Sequence, residues 1–347
     1  MSHYLITGHT GFKGAWLIFL LKSRGHDVSG LALNPVPGSI FARANLNEVL
    51  IRDFRIDVRD RELTVRAIQA AQPDFVVHLA AQALVREGYR NPLATYETNV
   101  LGTLNVLEAV GLTESVKAQL IVTTDKVYLD QGSERFYVEN DPIGGHDPYS
   151  ASKAMADILA GEFLAREGAK PGAVARAGNV IGAGDVSDER LIPDIVGAIE
   201  NRGRLVLRYP DAKRPWQHVL DCLDGYLRLL HATAESGLNG PFNFGPQEGA
   251  TLSVRDVVRM VQEELDLPLE AVMGREQVFH ESPYLALDSS KARSVLGWEE
   301  AFNLERALED AVTSLSGLDS AAFSAHFYSA IDRWSRLQDF NSPDLGR

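Results

Sequence analysis

Residues 4–22 constrain the fold more than any other stretch. Tyr4-Leu5-Ile6-Thr7 is a short apolar strand candidate, Gly8-His9-Thr10-Gly11-Phe12-Lys13-Gly14 is a glycine-spaced turn, and Ala15 to Lys22 is an apolar helix. In that order, strand, GxxGxxG turn and helix make the phosphate-cradling unit of a dinucleotide-binding fold. The glycines permit a tight bend and close backbone approach to a diphosphate, and the helix N-terminus offers free N–H groups. A glycine triplet alone says little; the flanking strand and helix make a mere turn the weaker reading. Lys13 reads equally well as a phosphate contact or as a solvated lysine at a helix start.

The alternation continues along the chain. Asp27 to Leu33 reads as a second strand, ending at Asn34. An acid commonly stands near this point to hold the ribose diol. Here there is none, and no obvious arginine for a 2′-phosphate, so Asn34 is the candidate for a neutral hydrogen bond and the choice of NAD over NADP is weakly written. Phe54 to Val58 reads as a third strand ending at Asp57, Arg61 to Ala71 as a helix, and Asp74 to His78 as a fourth strand. The latter runs into Leu79-Ala80-Ala81-Gln82, whose small residues let backbone pass close to a cofactor. Pro92 to Val110 has the pattern of one long helix, in which Asn99 is either a surface residue or a hydrogen-bonding group that positions the neighbouring strand.

Gln119 to Val122 and Ala173 to Arg176 are further strands, and the helix carrying Lys153 continues to about Glu167. Gly178 to Asp185 reads as an irregular loop and Arg190 to Pro193 as a helix start. Leu205 to Arg208 is a short strand; Arg214 to Val219 leads into a helix through Leu230; Pro241 to Gly245 is a strand that rejoins the sheet. From Thr251 the chain is mainly helical, with short strands near 270–272 and at Val278-Phe279, and the last dozen residues, with Pro343 and Gly346, read as a loose tail. The expected fold is α/β, a Rossmann-type doubly wound parallel sheet with a smaller, mostly helical C-terminal substrate domain. The expected division is 1–176 with returning segments 217–246 for the dinucleotide domain, and 177–216 with 247–347 for the substrate lobe.

Composition narrows the partners. With 347 residues, 45% of them hydrophobic, the chain can bury a sizeable core. A net charge of −13 argues against nucleic acid and against acidic membranes as electrostatic partners. One cysteine, Cys222, forbids an internal disulfide and a cysteine metal site, and the histidines show no metal spacing. No leader pattern or membrane-length apolar run is present, so a soluble cytoplasmic protein without a metal is expected.

Chemistry concentrates between Thr123 and Lys153. Thr123-Thr124-Asp125-Lys126 follows a strand, and Tyr149 and Lys153 stand at i and i+4 on one face of a helix. A phenol, two amines, a carboxylate and a hydroxyl are thereby candidates for one site. A solvated pair at a strand end is the bland reading of Asp125 and Lys126, and it would win if they stood alone.

Together these residues resemble the extended short-chain dehydrogenase/reductase family over essentially the whole chain. The resemblance is carried by the Gly8/Gly11/Gly14 turn, Asp57-Val58, His78-Leu79-Ala80-Ala81, Asn99, Tyr149-Ser150-Ala151-Ser152-Lys153 and Arg214-Pro215-Trp216-Gln217-His218-Val219. Thr124-Asp125-Lys126, Gly178-Asn179-Val180-Ile181-Gly182 and Arg190-Leu191-Ile192-Pro193 make the chain most similar to the CDP-glucose 4,6-dehydratases within it. Segment 129–138 departs from that group, lacking its tryptophan-bearing aromatic stretch.

The resemblance implies an NAD cofactor held by Gly8, Thr10, Gly11, Phe12, Lys13, Gly14, Asn34, Asp57, Val58, Leu79, Ala80, Ala81, Gln82, Asn99, Thr123, Tyr149 and Lys153. It implies a nucleotide-sugar substrate, CDP-glucose, held by Asn179, Arg190, Leu191, Arg214 and His218, and a homodimer through a four-helix bundle. Catalysis would rest on Thr124, Asp125, Lys126, Tyr149 and Lys153. The sugar is oxidised at C4, loses water across C5 and C6, and takes the hydride back at C6. Tyr149 serves as the first base if Lys153 and a cationic nicotinamide lower its pKa from about 10. Asp125 needs a raised pKa to act as an acid. Lys126 can act as a base only as a neutral amine, below its free value of about 10.4. A 4-epimerase or decarboxylase of the same family would use Tyr149 and Lys153 without needing Asp125 and Lys126. A non-catalytic NAD-binding module would have no use for the tuned phenol.

Overall fold

The computed structural model describes residues 1–130, 132–201, 203–247, 251–263, 267, 269–274 and 282–341, the side chains of 339–341 excepted. The apolar N-terminal strand forms β1 (His3–Thr7), and the glycine turn delivers α1 (Phe12–Ser23). β2 (Asp27–Ala32), the single-turn α2 (Ile40–Arg43), β3 (Arg52–Arg55), α3 (Arg61–Ala71) and β4 (Phe75–His78) follow. After β4 come α4 (Val85–Arg90), α5 (Pro92–Tyr96), a π turn over Glu97–Leu101, α6 (Gly102–Gly111) and β5 (Ala118–Val122). α7 (Pro148–Leu164) and β6 (Gly172–Ala177) complete the first run of alternating elements.

The chain then leaves the sheet. β7 (Asn179–Ile181), α8 (Leu191–Glu200), β8 (Arg204–Leu207) and β9 (Lys213–His218) build a second lobe, before α9 (Val219–Ser236) and β10 (Gly240–Phe244) return. β11 (Thr251–Ser253), α10 (Val254–Glu263), β12 (Glu270–Met273), α11 (Ser290–Leu296), α12 (Leu304–Ala311) and α13 (Ser320–Asn341) end the described chain.

Seven strands pair in parallel in the order β10-β6-β5-β4-β1-β2-β3, the expected Rossmann-type doubly wound sheet. Winding reverses between β1 and β4, and ligands of such sheets bind at the strand C-termini beside that point. Trp16, Leu20, Leu223 and Leu230 of α1 and α9 pack on one face with Phe242 and Phe244. Ile68, Val106 and Val110 of α3 and α6 cover the other with Leu5 and Val76. β11-β9-β7 and the β12-β8 pair form two smaller sheets in the second lobe, around Ile195, Leu205, Trp216, Val257 and Leu308.

Several expectations are corrected. β3 stops at Arg55, so Asp57 lies beyond the strand. The glycine-rich segment after β6 is not wholly irregular, because Asn179–Ile181 pairs with β9. The helix from Pro92 is interrupted by the π turn that holds Asn99. α13 reaches Asn341, while 342–347 and the strand expected at Val278-Phe279 lie outside the described residues. Trp298, Phe302, Phe323, Phe327 and Trp334 join the apolar cluster of α1 and α9. We therefore propose that the C-terminal helix belongs with the dinucleotide domain rather than with the substrate lobe. No helix among the described residues is long and apolar enough to cross a membrane.

Candidate active site

One cavity of about 730 Å³ opens between the C-terminal ends of the sheet and the second lobe. Its first wall is the glycine turn. Gly8 takes φ +72°, and a Cβ there would lie 2.7 Å from the Ala80 nitrogen; a Cβ on Gly14 would lie 2.5 Å from the Gly8 carbonyl. A side chain at Gly8 would push the turn off Leu79-Ala80, and one at Gly14 would push α1 off the Gly8-His9 backbone. α1 starts at Gly11 with no side-chain cap, so its first N–H groups remain available to an anion. Thr10, Phe12, Asn34, Asp57, Val58, Leu79, Ala80 and Ala81 continue this wall. An open helix N-terminus between close-packed glycines fits a dinucleotide diphosphate, and these residues would hold NAD.

Some cofactor candidates sit elsewhere than expected. Neither Asn99 nor Gln82 lines the cavity. Asn99 is buried and exchanges hydrogen bonds with the Gln82 backbone at 2.8 and 3.0 Å, and donates to Ser152 Oγ at 2.9 Å. It positions the end of β4 against α7. Asp57 is engaged by Arg59, whose N–H groups hold its carboxyl below the usual range. Lys13 lines the cavity beside the glycine turn and is not a solvated lysine. It turns inward, donates to Tyr226 OH at 3.2 Å, and burial lowers its pKa.

The second wall carries the reactive groups. β5 delivers Thr123, whose N–H donates to the Ala175 carbonyl at 2.8 Å. Thr124 then caps a single 3₁₀ turn over Asp125–Val127 by accepting the Lys126 N–H. Asp147 caps α7 with Pro148 at its first position, which fixes Tyr149 in the first turn and Lys153 one turn later. Thr123, Thr124, Asp125, Lys126, Tyr149 and Lys153 all line the cavity.

Asp125 is 3% exposed. Its Oδ1 accepts the Thr124 hydroxyl at 3.0 Å, and among the described residues no donor reaches its Oδ2. Burial raises its pKa, against the opposing pull of Lys126, Thr124 and Arg214. A carboxyl that retains its proton beside a cavity is suited to donate it.

Desolvation dominates at Tyr149. Burial pushes its phenol up to about 12; hydrogen bonding with Thr124 and the charge of Arg190 lower it, while Asp125 and Asp147 raise it. The Lys153 ammonium donates to the Val122 carbonyl at 3.0 Å. Its own pKa is brought down to about 8 by burial and by Lys13, with Asp157 opposing.

On the substrate side, Asn179, Arg190, Leu191 and Arg214 line the cavity. Arg214 is buried and forks onto the Lys213 and Ser282 carbonyls at 2.7 Å each. Arg190 pairs with Asp185 at 3.3 Å. His218 is corrected: it is fully buried away from the cavity, accepts the Leu220 N–H at the start of α9, and meets Asp310 at 3.0 Å. Sequence reasoning missed Arg86 and Arg208, both on the lining, paired with Glu189 at 3.1 Å and Asp194 at 2.8 Å. Arg86 stands on α4, in the segment that follows β4, and Arg208 directly follows β8. Among the described residues no group of three or more acidic, histidine or cysteine side chains could hold a metal.

Comparison with known proteins agrees with this arrangement. Residues 5–311 match the model of the family described as GDP-mannose 4,6 dehydratase. A CDP-glucose 4,6-dehydratase from Salmonella typhimurium is 39% identical over 87% of this chain and 87% of its own. A dTDP-glucose 4,6-dehydratase from Xanthomonas campestris pv. campestris is 31% identical over 90% of this chain and 92% of its own. A UDP-glucose 4-epimerase from Thermus thermophilus, solved in complex with NAD, superposes with a TM-score of 0.76 at 25% identity, covering 94% of this chain and 99% of that one. The cofactor cradle, the Tyr149/Lys153 helix and the match across most of the sequence lead to one assignment: the chain belongs to the GDP-mannose 4,6 dehydratase family of extended short-chain dehydrogenases/reductases, as an NAD-dependent sugar-nucleotide dehydratase.

Proposed function

We propose that CDP-glucose is the sugar nucleotide whose 4,6-dehydration this enzyme catalyses. The observation that carries the reading is the juxtaposition of a redox face, Tyr149 and Lys153, with a buried Asp125 whose second oxygen meets no donor among the described residues. An epimerase has no step that needs a buried acid there. The similarity to the Salmonella CDP-glucose enzyme supports the choice of nucleotide.

Bound in this cleft, NAD⁺ supplies the hydride acceptor and later donor, and a positive charge that favours a phenolate at Tyr149. Tyr149 takes the proton of the sugar 4-hydroxyl, with Thr124 hydrogen-bonded to the same phenol and the Lys153 ammonium held beneath by Val122. The resulting 4-ketone acidifies C5, whose proton passes to Lys126. Asp125 protonates the C6 hydroxyl, which leaves as water. A hydride returns to C6 and Lys126 returns a proton to C5. Tyr149 has then gained one proton and Asp125 has lost one, so a single transfer between them, direct or through solvent, resets the site. Asn179, Arg190 and Arg214 hold the substrate diphosphate, for which a planar guanidinium fork is suited.

The test is incubation of the purified chain with NAD⁺ and, separately, CDP-, dTDP-, UDP- and GDP-glucose. A CDP-sugar product lighter by one water is the expected result. Unchanged mass with inverted C4 overturns the dehydratase reading, and faster turnover of another nucleotide overturns the choice of CDP.

We also propose a homodimer and a cytoplasmic location. Leu93, Leu101, Met155 and Ile158 leave large apolar side chains exposed along the helices from Pro92 and Pro148, which supports pairing of those helices with a second copy. A single, buried cysteine suits a reducing compartment.

A further inference from the structure

Behind the reactive wall lies a buried polar cluster that meets the cavity only through Thr123; Asp157, Arg176, Tyr128 and Asn243 do not line it. Asp157 stands one helical turn beyond Lys153, so Tyr149, Lys153 and Asp157 follow one another along α7. The Asp157 carboxylate accepts two N–H groups of Arg176 on β6, at 2.9 and 2.6 Å, and the Thr123 hydroxyl at 2.8 Å. The remaining arm of Arg176 donates to Tyr128 OH at 3.0 Å and to the Glu139 carbonyl at 2.9 Å. Tyr128 OH in turn donates to Asn243 Oδ1 at 2.7 Å. Asp157 and Arg176 are each 4% exposed.

A buried ion pair does not by its presence stabilise a fold, because desolvation consumes most of the attraction. What this pair does is connect. Thr123 immediately precedes Thr124, the cap of the turn that carries Asp125 and Lys126, and Tyr128 immediately follows that turn. Both ends of that turn are therefore tied, through Asp157 and Arg176, to the helix that carries Tyr149 and Lys153. The two halves of the reaction sit on separate elements, β5 with its turn and α7, and this cluster spans them.

We propose that Asp157 and Arg176 are positioning residues that hold the Asp125/Lys126 turn in register with Tyr149 and Lys153, so that oxidation and elimination act on one bound sugar. Acid–base transfer tolerates little displacement; a shift of about 1 Å can cost about a hundredfold in rate. Oxidation at C4 rests on Tyr149 and Lys153, which α7 itself carries. This inference rests on the dehydratase reading above.

The test uses the full-length enzyme with NAD⁺ and CDP-glucose, and two variants. Tyr128→Phe removes one hydroxyl and keeps the ring that stacks on Tyr137 at 5.0 Å, so the fold is retained. Arg176→Lys keeps a positive charge beside Asp157 and loses the fork. In both, dehydration kcat is expected to fall at least about tenfold, with KM changed by less than about threefold. Reduced cofactor, followed by its near-ultraviolet absorbance, accumulates during turnover, and exchange of solvent deuterium into C5 slows in parallel with water loss. A parent enzyme that dehydrates, with variants matching its kcat and its fraction of reduced cofactor, overturns the positioning role. So do variants whose loss merely follows their folded fraction. A parent that removes water from no sugar nucleotide overturns the dehydratase reading, and this inference with it.

Discussion

Thr124 donates to one oxygen of Asp125 at 3.0 Å, and the other oxygen, buried at the cavity wall, meets no donor among the described residues. A neighbour that satisfies only one side of a carboxyl leaves the other to carry a proton toward a ligand. Asp125→Asn keeps the shape and removes that proton. Dehydration is expected to fall by roughly 10²–10⁴-fold, the range for loss of a general acid. Oxidation at C4 persists, so reduced cofactor builds up when CDP-glucose is mixed with the variant. Water loss at the parent rate would exclude Asp125 as the acid.

The same burial predicts opposite pH dependences of stability for two neighbours. Asp125 has a folded pKa above its ordinary 3.8, so between the two values the folded state binds more protons than the unfolded one. Its contribution is most favourable at low pH and declines as pH rises through the folded pKa. Lys153 is lowered from 10.5 to about 8, so between those values the unfolded state binds more protons, and stability rises with pH across that window. Thermal unfolding of the cofactor-free chain should therefore show Asp125→Asn gaining on the parent as pH increases from the acidic side. Lys153→Met should lose ground to the parent between pH 8 and 10.5.

Gly8→Ala tests the cofactor cradle. The residue sits at φ +72°, and a Cβ would lie within 3 Å of Ala80 backbone atoms that cannot retreat without moving β4. Strain of about 1–2 kcal/mol from the left-handed backbone alone is expected. The displaced turn should weaken NAD binding in titration while leaving the far-ultraviolet circular dichroism unchanged. Unaltered affinity would show that the turn does not hold the diphosphate.

Much of this site was legible in the sequence because it depends on local order. Strand, glycine turn and helix at residues 4–22, and the i, i+4 spacing of Tyr149 and Lys153, are written in adjacent residues and folded as read. Asn99 was readable as a hydrogen-bonding group, though its partner, the Gln82 backbone, was not named by spacing. What was not legible depends on burial and on distant partners. The upward shift of Tyr149 comes from desolvation, which a pattern of five residues does not reveal. His218 sits beside Arg214 in a segment where neighbours line the cavity, but Asp310 and the start of α9 occupy both its ring nitrogens. Arg86 and Arg208 belong to no recognised motif and reach the lining because α4 and the end of β8 place them there.

That correction of His218 is itself testable. Asp310 accepts from the Ala183 N–H at 3.1 Å, meets His218 at 3.0 Å and lies near His326 at 3.3 Å, all in the interior. Removing one partner of a buried ionic group costs about 3–5 kcal/mol. Asp310→Asn should lower the unfolding free energy in denaturant by about that much, and leave KM for the sugar nucleotide within about twofold, since neither residue reaches the cavity. A variant with normal stability and a greatly raised KM would return His218 to the substrate site.

Quaternary structure supplies the last prediction. Ile158, on α7, is 58% exposed and Leu101, on the π turn before α6, is 52% exposed. Large aliphatic side chains half covered in the protomer gain roughly 1 kcal/mol each when the rest is covered, about half the value for full burial. A two-fold pairing counts each residue twice, so a charge there acts in both copies at once. Ile158→Glu should convert a dimer at micromolar concentration into a monomer by sedimentation velocity, with little change in the protomer's own fold because the side chain is not part of its core. Since α7 also bears Tyr149 and Lys153, the monomer is expected to lose activity along with its helix support. A parent that sediments as a monomer would remove the dimer proposal outright, and a dimer that survives Ile158→Glu would move the interface off this face.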